Sequence, residues 1–228
     1  MTVFQVTEIF FSIQGESSHA GLPCIFVRLT GCNLRCRWCD SEYSFHGGRR
    51  MSIDEVMAEV ARHPCRRVEI TGGEPLLQAP AVAELAQRLL RQDYTVLLET
   101  SGERDLTPVP PQVRKIVDVK CPGSGEGGRF LTSNLSLLQP WDELKFVLAD
   151  RGDYEFARAF LNQHHIAGQQ PEVIFSPAFR QDAQGERSSD QCALDPRILA
   201  EWMLADGVPA RLGLQIHKFI WAPERRGV

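Results

Sequence analysis

Three cysteines lie close together in the run Thr30-Gly31-Cys32-Asn33-Leu34-Arg35-Cys36-Arg37-Trp38-Cys39-Asp40, spaced Cys-x3-Cys-x2-Cys. They are too near one another for a disulfide framework, and the chain's total of seven cysteines is odd, so clustered thiols point to metal. Two metals compete. Structural zinc takes four ligands, and His46, Asp40 or Cys24 would have to complete its site. A [4Fe–4S] cluster also takes four outer ligands, usually thiolates, so three cysteines would leave one iron open to the amine and carboxylate of a small ligand. A second candidate is Thr71-Gly72-Gly73-Glu74-Pro75. Its glycines permit a close backbone approach to a ligand, or simply a tight turn with Glu74 favouring a helix N-terminus. Arg28 stands inside the apolar run CIFVRL, where an unpaired guanidinium is costly and its planar fork suits a carboxylate, either a ligand's or one of the protein's own. His217 and Lys218 form a further polar pair, and Lys120, Lys145, Ser176 and Pro177 fall at predicted strand ends.

The elements that must carry these residues read as a βα alternation. Strands are predicted within Val3–Phe10, Cys24–Leu29, Arg67–Thr71, Thr95–Thr100, Lys115–Val119, Glu143–Ala149, Glu172–Phe175 and Arg211–Ile216. Ser52-Ile53-Asp54-Glu55 is a capping box that opens a helix to about His63. Pro80–Asp93, Asp153–His165 and Asp195–Ala205 are predicted as further helices, the first with Val82, Leu85, Leu89 and Leu90 as its apolar stripe. Alternation favours a mostly parallel sheet with outer helices. At 228 residues the chain falls short of the about 250 that a closed eight-stranded barrel typically needs, so the expected fold is α/β, a partial and open β/α barrel. In such folds the loops at the C-terminal strand ends build the site, and the cysteine run and the Gly-Gly-Glu turn both follow predicted strands. No linker divides the chain, so one domain over residues 1–228 is expected. The formal charge of -4 argues against a protein whose main task is gripping nucleic acid. The N-terminal stretch MTVFQVTEIFFSIQGE lacks a basic region before its apolar residues, and no run approaches the ~20 apolar residues of a membrane span, so a cytoplasmic chain is expected.

The cysteine spacing, with an aromatic at Trp38 before the last cysteine, and the Gly-Gly-Glu turn together resemble the radical S-adenosylmethionine (SAM) superfamily. The resemblance narrows further. Glu8–Ser17 (EIFFSIQGES), Phe26–Leu29 (FVRL), Trp38–Ser41 (WCDS), Glu99–Gly102 (ETSG) and Gln215–Lys218 (QIHK) are similar to the 7-carboxy-7-deazaguanine synthase family over nearly the whole chain. That resemblance implies a radical SAM-type partial barrel converting 6-carboxy-5,6,7,8-tetrahydropterin to 7-carboxy-7-deazaguanine. The reaction is a ring contraction with loss of ammonia, on the route to queuosine and other 7-deazapurines. It implies a 5′-deoxyadenosyl radical that abstracts hydrogen from C6 of the substrate, a [4Fe–4S] cluster, SAM, a Mg2+ ion and a homodimer. A reducing electron donor such as flavodoxin or ferredoxin would supply the cluster.

Carried over position by position, the resemblance assigns Cys32, Cys36 and Cys39 to the cluster and Trp38, Asp40, Gly73, Glu74, Ser101 and Gly102 to SAM. Lys120, Lys145, Ser176 and Pro177 are further candidates for the cofactor pocket. Ile13, Gln14, Gly15, Glu16, Arg28, Thr100 and His217 match substrate-binding positions, and Ser41 matches a magnesium ligand. In shorter relatives the chain stops at a proline aligning with Pro223, whose carboxylate reaches substrate; here residues 224–228 follow, and either Val228 takes over that contact or it is absent. Two other readings remain: an activase of the same superfamily that places a glycyl radical on a partner protein, and a zinc-stabilised binding module.

Overall fold

The computed structural model describes residues 2–166, 171–180, 191–222 and 225–228. It opens with an antiparallel hairpin of β1 (Val3–Ile13) and β2 (Pro23–Leu29). The first two strands depart from the mostly parallel arrangement because the connection Gln14–Leu22 is too short for the crossover that parallel neighbours require. It folds as a turn closed by Gln14 N–H to the Leu22 carbonyl and Gly21 N–H to the Gln14 carbonyl, both 2.8 Å. A short β3 (Arg49–Ser52), unforeseen because only its Met51 is apolar, lies antiparallel on the other side of β1.

From β2 onward the sheet is parallel, through β4 (Arg67–Gly72), β5 (Thr95–Thr100), β6 (Arg114–Asp118), β7 (Glu143–Leu148), β8 (Glu172–Pro177) and β9 (Arg211–Leu212). Among the described residues nine strands stand in the order β3-β1-β2-β4-β5-β6-β7-β8-β9, with no pairing between the two end strands, which makes an open barrel rather than a closed one. Beyond β1 and β3, neighbours in space are neighbours in sequence.

The helices form where caps and apolar stripes coincide. In α1 (Ile53–Val60) the Ser52 hydroxyl accepts from Glu55 N–H while the Glu55 carboxylate accepts from Ser52 N–H, and Ile53, Val56 and Val60 are buried. In α2 (Ala79–Leu90) Pro80 occupies the first turn, where its missing N–H costs nothing, and Val82, Leu85 and Leu89 face the sheet. α3 (Arg151–Gln163) is capped by Asp150 and α4 (Pro196–Asp206) by Asp195. The predicted last strand, Arg211–Ile216, is shorter than expected: pairing ends at Leu212, and His217 opens a short helix α5 (His217–Ile220). Among the described residues no helix is long and apolar enough to cross a membrane.

The two faces of the sheet differ, as strand alternation dictates. Ile25, Val27, Leu29, Val68, Ile70, Val96, Leu98, Val117, Leu144 and Phe146 point outward into the main core beneath the helices. The alternate residues point inward. Cys24, Phe26, Leu97 and Ile116, with Phe10 packed on them, form an apolar floor, and above it stand Arg28, Thr71, Glu99, Asp118 and Lys145 along the cavity.

Candidate active site

The loop after β2 carries the three thiols. Pairing of Leu29 with Gly72 brings it beside the turn after β4. Glu74 N–H donates to the Gly31 carbonyl at 2.9 Å, and a Cβ at Gly73 would lie 2.5 Å from both Cys32 Cβ and the Gly31 oxygen. Glycine there is a requirement of close approach. On its far side the loop is tied to the segment after β6, Arg37 N–H to the Ser124 carbonyl at 2.9 Å and Arg35 N–H to Glu126 Oε1 at 2.7 Å.

Cys32, Cys36 and Cys39 are all free, partly buried and line one cavity. Leu34 N–H donates to Cys32 Sγ at 3.4 Å, and Cys39 Sγ lies 3.9 Å from Ser41 Oγ. Burial raises the pKa of each thiol, that of Cys36 to about 11, so thiolates here require a compensating cation. Among the described residues, the trio whose ligand atoms all lie within 4.8 Å of one another is Glu16, Asp40 and His217, without any cysteine. The three sulfurs therefore do not all lie within 4.8 Å of one another, and the zinc reading lacks a fourth ligand. Cys24 is buried in the barrel floor, His46 is exposed, and Asp40 pairs with Lys218 Nζ at 2.6 Å.

Beside the thiols the cavity is walled by charge. Lys145 Nζ bridges Glu16 (2.7 Å) and Glu99, with Asp118 at 3.7 Å. Burial favours the neutral amine, yet the carboxylates of Glu16, Glu99 and Asp118 hold the Lys145 ammonium well above its ordinary value. In turn Glu16, despite burial, is lowered to about 2 by Lys145 and His217. Burial opposes ionisation of Asp40 too, but Lys218, His217 and Arg28 hold it below the usual carboxylate range. Lys120, a candidate for the cofactor pocket, pairs with Asp118 at 2.7 Å. Arg28 takes up the protein-carboxylate reading, its Nε paired with Glu8 at 2.9 Å and Glu8 also accepting the Tyr43 hydroxyl at 2.7 Å, and Arg28 lines the cavity.

Most of the sequence-predicted residues meet on this cavity: Ile13, Gln14, Gly15, Glu16, Arg28, the three cysteines, Trp38, Asp40, Ser41, Gly73, Thr100, Ser101, Lys120, Lys145 and His217. Four do not line it. Glu74 is buried behind the wall, accepting from Leu76 N–H, the Thr100 hydroxyl, and Ser101 N–H and hydroxyl at 2.7–2.9 Å, so it orders the ETSG turn through contacts within the protein. Gly102, at φ +69°, packs its α-carbon toward Val117 and Phe130. Ser176 and Pro177 are buried at the end of β8. Pro223 lies outside the described residues, whereas Arg225, Gly227 and Val228 line the cavity. Sequence reasoning passed over Glu69 and Asp118 as site residues, and took Glu99 and Gln215 only as parts of motifs; all four line the cavity. The signal that singled out Arg28, a polar group inside an apolar strand, was present in VEIT, LLET and KIVDV as well.

Comparison with known proteins agrees with this geometry. A family model described as the Radical SAM superfamily matches residues 26–122, which include the cysteine loop and the Gly-Gly-Glu turn. The chain is 60% identical to the 7-carboxy-7-deazaguanine synthase of Koribacter versatilis, covering 98% of this chain and 100% of that one. It is 44% identical to the protein of the same name from Chlorobaculum tepidum, covering 98% and 96%. The crystal structure of QueE from Escherichia coli superposes with a TM-score of 0.72 at 23% identity, covering 94% of each chain, which supports the fold. On full-length identity of this order, the chain belongs to the 7-carboxy-7-deazaguanine synthase family of radical SAM proteins.

Proposed function

We propose that the protein converts 6-carboxy-5,6,7,8-tetrahydropterin to 7-carboxy-7-deazaguanine with loss of ammonia, as a radical SAM lyase of 7-deazapurine biosynthesis. The observation that carries this reading is that Cys32, Cys36 and Cys39 open onto the same cavity as Gln14–Glu16, Arg28, Glu99, Thr100 and His217. A [4Fe–4S] cluster on the three thiols, with SAM bound beside it, supplies the one-electron chemistry that removes a hydrogen atom from the pterin.

The chain's own residues bind, orient and exclude. Trp38, Asp40, Gly73, Ser101 and Lys120 line the cavity together with the thiols and would hold SAM, with Glu74 and Gly102 shaping the backbone behind it. Arg28 offers the guanidinium edge left by Glu8 to the substrate carboxylate. Glu99 and Thr100 offer acceptors to the ring, Gln14 lines the cavity beside them, and Lys145 holds Glu16 and Glu99 in place. Ser41, beside Asp40 on the cavity wall, supplies a hard oxygen donor for Mg2+, the remaining positions falling to substrate oxygens and water. The protein is expected to act as one domain over residues 1–228, as a homodimer in the cytoplasm, reduced by a flavodoxin- or ferredoxin-type donor.

Anaerobic incubation with carboxytetrahydropterin, SAM and reductant, read by mass spectrometry, should yield the deazaguanine. Cleavage of SAM without that product would overturn the substrate assignment. For the cation, Ser41→Ala should shift the magnesium dependence of turnover to higher concentration by roughly tenfold, on the scale of one lost charge-assisted contact; an unchanged titration would remove Ser41 as a ligand.

A further inference from the structure

Glu69 is the polar exception in the barrel floor. Its neighbours across the sheet are Phe26 on β2 and Leu97 on β5, both members of the apolar floor with Cys24 and Ile116. The residue is 1% exposed, yet it lines the cavity. One carboxyl oxygen accepts the Gln14 side-chain N–H at 2.6 Å; the other has no hydrogen-bond partner among the described residues. The ionisable groups around it are Glu99 from β5, Glu16 from the turn after β1, Lys145 from β7 and Cys24 from β2. Lys145, the cation among them, is already engaged by Glu16 and Glu99. A buried oxygen left open toward a cavity is satisfied by whatever the cavity binds.

We propose that Glu69 contacts the heterocycle directly, its open oxygen hydrogen-bonded to the 4-oxo group of the pyrimidinone ring, and that it sets the cavity's preference for an oxo over an amino substituent there. This rests on the pterin reading of the site and adds a specificity-determining residue to it. With Lys145 engaged by Glu16 and Glu99, no cation among these groups is left to balance a charge on buried Glu69, and burial and the Glu99 carboxylate push its pKa well above the ordinary value; in the proposed contact the open oxygen therefore holds the proton and donates. A ring carbonyl is the acceptor it matches, whereas an amino group at the same position would present donor to donor. The Glu69–Gln14 bond fixes the carboxyl's orientation, because the Gln14 carbonyl oxygen is itself held by Glu16 N–H and Ser17 N–H.

The test compares binding of two oxidised probes, 6-carboxypterin and its 2,4-diamino counterpart, to the cluster-loaded protein by anaerobic fluorescence titration. Wild type should prefer the oxo compound by roughly 10- to 100-fold, the discrimination expected when a buried donor is left unpaired. Glu69→Gln, whose amide can accept from Gln14 and donate to the ring, should keep that preference. Glu69→Met, compatible with the apolar floor, should bring the ratio near one while SAM binding and thermal unfolding stay close to wild type. A preference that survives in Glu69→Met, or equal weakening of both probes, would overturn the contact and leave Glu69 as an anchor for Gln14 alone. Failure of the pterin reading shows separately, as wild-type protein that neither binds 6-carboxypterin nor turns over carboxytetrahydropterin.

Discussion

At the scale of single residues, the site is a set of charges that each need another. Asp40 keeps its charge through Lys218, Glu16 through Lys145, and Lys120 through Asp118. The thiols differ: burial works against their ionised form. Cys36→Ala should therefore remove a cluster ligand at little cost to the fold, abolishing reductive cleavage of SAM and lowering bound iron; normal iron with persisting cleavage would contradict the assignment. His217 offers a pH readout. Burial lowers its pKa below 6.5, aided by Lys218 and opposed by Glu16 and Asp40. A histidine held neutral in this way favours the folded state fully above its unfolded pKa of 6.5, and the advantage is lost as pH falls below it. The His217 ring proton should titrate by NMR with a midpoint below 6.5; a higher midpoint would show that the Glu16 and Asp40 charges outweigh burial.

At the scale of elements, two neighbouring loops are fitted so closely that one methyl group separates function from its loss. Gly73→Ala places Cβ within 2.5 Å of the cysteine loop's backbone and of Cys32. It should destabilise by about 1–3 kcal/mol, the range for overpacking, with the iron content falling in parallel. Measurement of thermal unfolding and of iron per chain tests both, and a variant that loads iron normally would show that the loop yields. Arg28 also belongs to this scale. It sits on β2, pairs with Glu8 across the hairpin from β1, and has Phe10 and Tyr43 within 6 Å of its guanidinium carbon. The hairpin therefore orients a site residue as well as starting the sheet.

At the scale of the whole molecule, the barrel is held where β6 meets β7 by an ion pair. Lys115 Nζ lies 2.7 Å from Asp142 Oδ2, with 2% and 0% of the two side chains exposed. Asp142 also accepts from Lys115 N–H and Gln139 N–H. Asp142→Ala would strand a buried ammonium and two backbone donors, and should cost about 3–5 kcal/mol in urea unfolding of the metal-free protein. A loss under about 1 kcal/mol, the scale of an exposed pair, would mean that the lysine finds water on relaxation. Because Asp118 and Lys145 follow on the same two strands, a cavity wall depends on this pair far from any ligand.

The sequence by itself determined the chemistry-bearing loop, the Gly-Gly-Glu turn, most strands and the capped helices, because spacing, alternation and caps are signals carried by residues close together in the chain. Tertiary structure decided what local signals cannot carry. The β1–β2 pairing is antiparallel because of the length of a connection, and β3 has too little apolar content to announce itself. Glu74 faces protein partners behind the cavity, while Glu69, Asp118 and Gln215 face into it, because which carboxylate meets a ligand depends on the register between strands far apart in the chain. Alternation tells which residues share a face of one strand; only the closing curve of the sheet brings those faces around a common centre.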